Sequence, residues 1–242
     1  MLSKEQIQTE INSVITLFST GSFKESLDQL DPLIKDFPDN PILHNIMGAS
    51  LVGLGQLDNA IKSYNEAISI KPDYAKAHYN LGGAFHELGQ LEDSVESYER
   101  SIAIESNYAE AHNNLGNVFR ELGEHNTAII SYEKALIINP DYVEAHFSLA
   151  VVLYSFDQLD LMIEHLEKAI DINPNFAEAH HSLGGGYKEL GRLDDAVKSY
   201  NKALALQPNF SEAHNNLGNT FKELGQLKNA VKSYEKTLAI NP

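Results

Sequence analysis

The sequence predicts an all-α fold that repeats a two-helix unit seven times. Residues 109–123 read AEAHNNLGNVFRELG and residues 211–225 read SEAHNNLGNTFKELG, and the two stretches lie 102 positions apart, which is three times 34. A fixed period of this length is typical of arrays built from one supersecondary unit. It divides the chain into units 7–40, 41–74, 75–108, 109–142, 143–176, 177–210 and 211–242, whose residues we number from position 1 to position 34.

The first helix of each unit, helix A, is predicted from positions 4, 7 and 11, which share one face of a helix. Position 7 is usually Leu and position 11 is large and apolar, as in Leu115 and Phe119. Asn or Asp at position 33 precedes Glu by three residues, which is the spacing of a capping box. This spacing predicts that the next helix A is capped by Asn107, Asp141, Asn175 and Asn209.

The turn and the second helix, helix B, follow from small residues and proline. Position 15 is Gly in six units, and glycine can adopt the left-handed conformation that closes a helix. Position 20 is small in most units, and Pro at position 32 ends helix B. Glycine in mid-helix costs roughly 1 kcal/mol relative to alanine, so its repetition at position 8 predicts a close approach of helices A and B. The position-8 glycines are Gly48, Gly82, Gly116, Gly184 and Gly218.

The fifth unit, 143–176, departs from this pattern. It has Ala150 at position 8, Asp157 at position 15, Met162 at position 20 and Leu166 at position 24. Methionine in place of alanine would overpack a standard unit by roughly 1–3 kcal/mol unless the helices shift. The sequence therefore predicts a local change in the pitch of the stack at this unit.

Taken together, these positions resemble the tetratricopeptide repeat, a helix–turn–helix unit of 34 residues. The resemblance covers all but the first six residues, and we expect 1–242 to form a single array. It implies a right-handed superhelical solenoid in which helix A lines the concave side and helix B the convex side. A unit in such an array buries its apolar face only against its neighbours, so stability is roughly a sum of local terms.

Composition and charge exclude several classes of site and partner. The 242 residues have a formal net charge of -16, and such a field repels phosphate backbones and anionic lipids. We therefore expect neither nucleic acid nor a membrane as a partner. A sequence without cysteine has no disulfides, thiolate zinc sites or cysteine nucleophiles. The N-terminal residues MLSKEQIQTE lack the apolar segment of a signal peptide, so the expected location is the cytoplasm.

Histidine occupies position 4 in six units and suggests either a metal site or a packing position. Zinc needs nitrogen ligands about 2 Å from one ion, whereas packed helices lie roughly 8–10 Å apart. The packing interpretation is therefore favoured, and neither a metal nor a cofactor is expected. No catalytic set of residues is found, so the chain is not expected to be an enzyme. The six histidines are His44, His78, His112, His146, His180 and His214.

Asparagine at position 6 is the main candidate for binding chemistry, because its amide can both donate to and accept from a peptide backbone. The segment HNNLGN, followed by ELG, is similar to the repeats that precede the catalytic domain of O-linked N-acetylglucosamine transferases. That resemblance implies a ladder of amides that grips substrate backbone, interrupted here by Ile46, Ser148 and Ser182. In the other interpretation the amides only bridge neighbouring helices. The ladder residues are Asn12, Asn80, Asn114 and Asn216.

Specificity is expected from the other groove positions of helix A, which are positions 5, 9, 12 and 13, with a carboxylate at position 13 in most units. They give a polar groove with an aromatic patch in the fifth unit. The candidate residues are Tyr79, His86, Asn113, Asn117, Arg120, Phe147, Tyr154, His181, Lys188, Asn215, Asn219 and Lys222.

The expected function is that of a protein–protein interaction module that binds an extended peptide or protein segment in its concave groove. One version is the substrate-recruiting arm of a larger transferase, in which case 1–242 is the N-terminal part of a longer chain. The alternative is a structural adaptor that assembles complexes through its ends and convex face. The last repeat, which lacks a polar capping helix, is then expected to promote self-association.

Overall fold

The computed structural model describes residues 4–241, with side chains from residue 7, and within them it contains fourteen α-helices and no strand. None of these helices is long and apolar enough to span a membrane. The odd-numbered helices are A helices and the even-numbered ones are B helices. Their bounds are α1 Lys4–Ser19, α2 Phe23–Asp36, α3 Pro41–Gly53, α4 Leu57–Ile70, α5 Ala75–Glu87, α6 Leu91–Ile104, α7 Ala109–Glu121, α8 His125–Ile138, α9 Val143–Ser155, α10 Leu159–Ile172, α11 Ala177–Glu189, α12 Leu193–Leu206, α13 Ser211–Glu223 and α14 Leu227–Ile240.

The helices group into two compact units, residues 1–124 and residues 125–242. The first unit contains α1–α7 and the second contains α8–α14. Within each unit a helix packs on its neighbours in sequence, and consecutive A helices also touch, as α3 and α5 do in the first unit and α11 and α13 in the second. Packing is therefore local, as the repeat pattern predicts.

The turn between helices A and B adopts the left-handed conformation predicted at position 15. Gly21, Gly55, Gly89, Gly123, Gly191 and Gly225 have φ between 70° and 78°. Asp157 takes the same conformation in the fifth repeat, with φ of 57°. Aspartate is among the residues that tolerate this region best, so the turn is retained without glycine.

The predicted capping boxes are wrong. The residues that precede α7, α9, α11 and α13 are the aromatic residues at position 34, and none of them makes a side-chain capping hydrogen bond. Asn107, Asp141, Asn175 and Asn209 lie one residue further out. A side-chain cap does occur at α3, where Oδ1 of Asn40 accepts a hydrogen bond from the Ile42 backbone N–H at 3.0 Å.

The position-8 glycines make room for a tyrosine ring at position 24 of helix B. A Cβ at Gly48 would lie 2.5 Å from the Tyr64 ring, and one at Gly184 would lie 2.8 Å from the Tyr200 ring. Both distances are shorter than any van der Waals contact, so the close approach predicted from the sequence is an approach of helix A to this ring. The first and fifth repeats have Leu instead of Tyr at position 24, and both have a residue larger than glycine at position 8.

The fifth repeat is accommodated by its neighbour. Met162 is buried at position 20, and its sulfur lies 3.4 Å from the point where a Cβ on Gly186 would be. Gly186 occupies position 10 of the next repeat, where other repeats have Ser, Ala, Val or Thr. Cγ1 of Ile163 would lie closer still, at 3.2 Å, so the glycine in the following helix A gives room to both Met162 and Ile163.

We predict that Gly184→Ala lowers the free energy of unfolding by roughly 1–3 kcal/mol, because the new methyl group overlaps the Tyr200 ring. Gly185→Ala is the matched control. Its Cβ would lie 3.9 Å from the Tyr200 hydroxyl, and the higher helix propensity of alanine should stabilise the chain by up to about 1 kcal/mol. The double variant Gly184→Ala/Tyr200→Leu recreates the Ala150–Leu166 pair and should be less destabilised than the sum of its single changes. Urea denaturation followed by circular dichroism measures the unchanged chain, these three variants and the single variant Tyr200→Leu, and equal effects of the two alanine variants would contradict the prediction.

Candidate peptide-binding face

We use the term A-helix face for the side chains at positions 5, 6, 9, 12 and 13 of the A helices. Here three of the four position-6 asparagines bond to position 5 of the preceding repeat. Nδ2 of Asn80 donates to Oδ1 of Asn45 at 2.9 Å, and Nδ2 of Asn114 donates to the Tyr79 hydroxyl at 3.0 Å. In the second unit, Asn216 and His181 make the same contact at 2.9 Å through Nδ2 and Nε2. Each of these amides therefore uses one N–H to bridge two repeats.

This hydrogen bond involves only one of the polar groups of the Asn80 amide. The second N–H and the carbonyl oxygen of Asn80 make no hydrogen bond with any of the described residues. Asn12, the first predicted ladder residue, is exposed on α1 and accepts a hydrogen bond from Gln8 within the same helix. The two interpretations of the amides are therefore compatible at Asn80, where one N–H bonds to a neighbour and the other polar groups make no hydrogen bond with the described residues.

Aromatic residues at position 5 pack on the aromatic residue at position 34 of their own repeat. The ring centroids of Tyr79 and Tyr108 lie 4.8 Å apart, and those of Phe147 and Phe176 also lie 4.8 Å apart. The rings of His181 and Phe210 are 4.7 Å apart. Burial lowers the pKa of His181, against the opposing effect of Glu212. Tyr79, Phe147 and His181 are thus walls of the face with one side of each ring already covered.

Charged residues at position 12 pair with the carboxylate at position 13 of the next repeat. Nε2 of His86 lies 2.9 Å from Glu121, and Nζ of Lys188 lies 3.0 Å from Glu223. The side chains in these pairs are 25–47% exposed, so each pair stabilises the fold by only about 0–1 kcal/mol. Its main effect is to give a carboxylate on the A-helix face a partner within the fold.

The other predicted residues differ in exposure. Asn113 is buried and its Nδ2 donates to Oδ1 of Asn114 at 3.3 Å. Asn219 accepts a hydrogen bond from the Tyr234 hydroxyl at 2.8 Å. Asn117 and Arg120 are half-buried, whereas Tyr154, Asn215 and Lys222 are exposed.

Two adjoining cavities open on the A-helix face of the first unit, and both are lined by Phe18, Ala49 and Asn80. One has a volume of about 320 Å³ and is enclosed by aromatic rings that include Tyr64 and Tyr98. The other has a volume of about 450 Å³ and is lined mainly by apolar side chains of α1 and α3. Sequence reasoning missed Phe18, Tyr64 and Tyr98. The signal that could have found the tyrosines is Gly at position 8, because it marks where the ring of position 24 reaches helix A.

Family models for this repeat match most of the chain. One described as "TPR repeat" matches residues 48–89, 82–119, 116–155 and 186–225, and two described as "Tetratricopeptide repeat" match residues 143–176 and 211–242. The chain belongs to the tetratricopeptide repeat family. No curated protein is significantly similar to this TPR chain.

Solved TPR structures have the same fold. MamA is 26% identical with a TM-score of 0.63, over 66% of this chain and 94% of MamA. YrrB, described as a TPR protein with an unusual peptide-binding site, is 24% identical with a TM-score of 0.66, over 75% of this chain and 94% of YrrB. PilF of Pseudomonas aeruginosa is 17% identical with a TM-score of 0.72, over 80% of this chain and 88% of PilF. The last two similarities establish the fold alone.

The six position-4 histidines of this TPR chain hold the turn before helix A. Nε2 of each lies 2.7–3.2 Å from a backbone carbonyl oxygen six residues earlier, as between His78 and Pro72 or His180 and Pro174. A carbonyl oxygen only accepts, so Nε2 of each ring bears the proton and donates. Among the described residues, no three histidine or acidic side chains cluster as metal ligands would.

The fifth repeat contains a second histidine contact. Nδ1 of His146 lies 2.9 Å from Nδ1 of His165. Since Nε2 of His146 donates to the Pro140 carbonyl, Nδ1 of His146 must accept from His165. Burial lowers the pKa of His165, and His146 lowers it further. Five of the other repeats have Ser at this position 23, as in Ser131 and Ser199, and the first has Gln29.

We predict that this contact makes the second unit sensitive to acid. The unfolded chain binds a proton at His165 more readily than the folded chain does, so the contribution of neutral His165 to stability is complete above about pH 6.5 and is lost as the pH falls towards the lower folded-state pKa. His165→Ser should show a smaller decrease in the urea midpoint between about pH 7.5 and about pH 5 than the unchanged chain. An identical decrease in the two proteins would show that the pair does not titrate in this way.

Proposed function

We propose that this TPR chain is a protein-binding module, not a catalyst, and that it holds an extended peptide segment on the A-helix face of its first compact unit. The observation that supports this most directly is the position of Asn80. Its side chain lines both cavities, and one N–H and the carbonyl oxygen of its amide make no hydrogen bond with the described residues. A peptide backbone can both accept from and donate to such an amide.

The energetics assign different roles to the amide and the cavities. One hydrogen bond contributes roughly 0.5–1.5 kcal/mol, whereas micromolar binding needs about 8 kcal/mol. Side chains of the peptide must therefore supply most of the affinity by filling the cavities. In an extended strand, alternate side chains point to the same side about 6.6–6.8 Å apart, so two such side chains can enter adjoining cavities while the backbone passes Asn80.

A finer role is recruitment of substrate to a larger transferase. It is supported by the similarity of the HNNLGN and ELG segments to repeats of O-linked N-acetylglucosamine transferases. A transferase domain encoded after the codon for Pro242 would support this role. The same proposal includes a cytoplasmic location.

The binding proposal predicts that a random-sequence peptide library displayed on phage yields peptides that bind the first unit. For the selected peptides, Asn80→Ala should raise Kd about two- to tenfold, which corresponds to one hydrogen bond. Ala49→Leu is a second variant that fills the shared cavity wall without removing a hydrogen bond, and it should also weaken binding. Asn65→Ala is the matched control, because Asn65 is exposed on α4 outside both cavities. Isothermal titration calorimetry measures Kd, and peptides that bind all variants equally would place the site elsewhere.

One observation favours the alternative function of an adaptor that self-associates. Three apolar side chains on α14, Leu227, Val231 and Leu238, are 54–64% exposed. They lie on one helix and form a surface that a second copy of the chain could cover.

If α14 mediates self-association, the weight-average mass from multi-angle light scattering should rise with protein concentration, and Val231→Lys should suppress the rise. Ile137→Lys is the matched control, because Ile137 is an exposed apolar residue on α8. A constant monomer mass at high concentration, or equal effects of the two lysine variants, would rule out this role for α14.

A further inference from the structure

The carboxylate of Glu87 differs from two of its equivalents in later repeats, Glu121 and Glu223, and resembles Glu189, which is preceded at position 12 by the uncharged Tyr154. At position 13, Glu121 pairs with His86 and Glu223 pairs with Lys188, each time with position 12 of the preceding repeat. The residue in that place before Glu87 is Val52, which has no charge. No cation among the described side chains lies within ion-pair distance of Glu87. The first unit thus presents a carboxylate that the fold does not neutralise.

Glu87 lies at an aromatic cavity. It lines the cavity of about 320 Å³ together with Phe18, Tyr64, Tyr79 and Tyr98. The charge of Glu87 acts on a residue of this cavity, because burial raises the pKa of Tyr64 and the negative charge of Glu87 raises that pKa further. Aromatic faces attract cations through their quadrupole, most strongly where water is partly excluded. A carboxylate beside several rings therefore favours a positively charged group over a neutral or negative one.

The small residue at position 9 keeps the cavity open. A Cβ on Gly83 would lie 3.6 Å from the Tyr98 hydroxyl, so the glycine adds no side chain at this end of the ring. In the seventh repeat the same position is Asn219, whose side chain accepts the hydrogen bond of the Tyr234 hydroxyl. With glycine at position 9 the Tyr98 hydroxyl is left to the Asn114 side chain at the cavity, whereas Asn at position 9 engages the hydroxyl of Tyr234.

We propose that the cavity formed by Phe18, Tyr64, Tyr79, Tyr98 and Glu87 binds a lysine or arginine side chain of the peptide held on the A-helix face. The assignment rests on the proposed peptide-binding function and adds the chemistry of the partner. Charge complementarity supports it at two scales, since the chain has a net charge of -16 and the cavity contains an uncompensated carboxylate. The adjoining cavity, with Ile15, Ile42 and Ile46 in its lining, suits an apolar neighbour of that basic residue.

The test uses Nα-acetyl-lysine methylamide as the probe and Nα-acetyl-norleucine methylamide as its neutral isostere, titrated into the whole chain and followed by NMR of the Asn80 and Asn114 side-chain amides. The lysine probe should bind at least about fivefold more tightly than the neutral one. Glu87→Gln should abolish this preference. Glu121→Gln is the matched control, because that carboxylate is already paired with His86, and it should leave the preference unchanged.

Val52→Lys provides an independent variant. It places a lysine one repeat before Glu87, in the arrangement that Lys188 and Glu223 already adopt, so it should occupy the cavity internally and abolish lysine binding while circular dichroism stays unchanged. Equal binding of the two probes, a preference that survives Glu87→Gln, or an equal loss in Glu121→Gln would each overturn the assignment.

The two proposals fail in different ways. Selected peptides that depend on Asn80 but contain no excess of Lys or Arg and bind Glu87→Gln normally would retain the peptide-binding function and overturn the cation site. Lysine binding that depends on Glu87, without any peptide that depends on Asn80, would retain the cation site and overturn the peptide-binding function.

Discussion

The packing of a tyrosine ring over a glycine is the interaction on which the standard repeat depends. An aromatic side chain buries about 150–250 Å², which at about 25 cal/mol per Å² stabilises the fold by roughly 4–6 kcal/mol. Glycine in mid-helix costs roughly 1 kcal/mol, so the exchange is favourable. Tyr64, Tyr98 and Tyr200 are accordingly at most 2% exposed. The same ring ends at the A-helix face, so the residue that joins the two helices also forms the floor of the candidate binding cavity.

Sequence reasoning succeeded where the structure depends on residues within one repeat. The period, the helices and the left-handed Gly55 or Gly89 are all local features, and these predictions are confirmed. It failed at Asn107, because an aromatic residue at position 34 takes the place of the capping residue and is fixed by packing. The contact between Asn80 and Asn45 spans 35 residues and depends on how successive helices are stacked, which a period alone does not determine.

In the fifth repeat, two residues that depart from the pattern are compensated by a change at the position that each of them faces. Ala150 is tolerated because Leu166 replaces the tyrosine, and Met162 is tolerated because Gly186 gives way in the next helix. Cores accept such exchanges when the total volume is kept. Taken one at a time, these residues look like departures from the repeat. The structure shows that what the repeat preserves is the fit between two facing positions.

Charge on the A-helix face follows the same rule of facing positions, and this has a functional consequence. Position 12 of one repeat determines whether the carboxylate at position 13 of the next has a partner within the fold, as Glu121 has in His86 and Glu223 has in Lys188. Such exposed pairs contribute little to stability, so the residue at position 12 can change without unfolding the array. With Val52 in that place, Glu87 is left for an external cation at almost no cost in stability. Binding specificity of the A-helix face can therefore change repeat by repeat while the tyrosine–glycine packing beneath it stays constant.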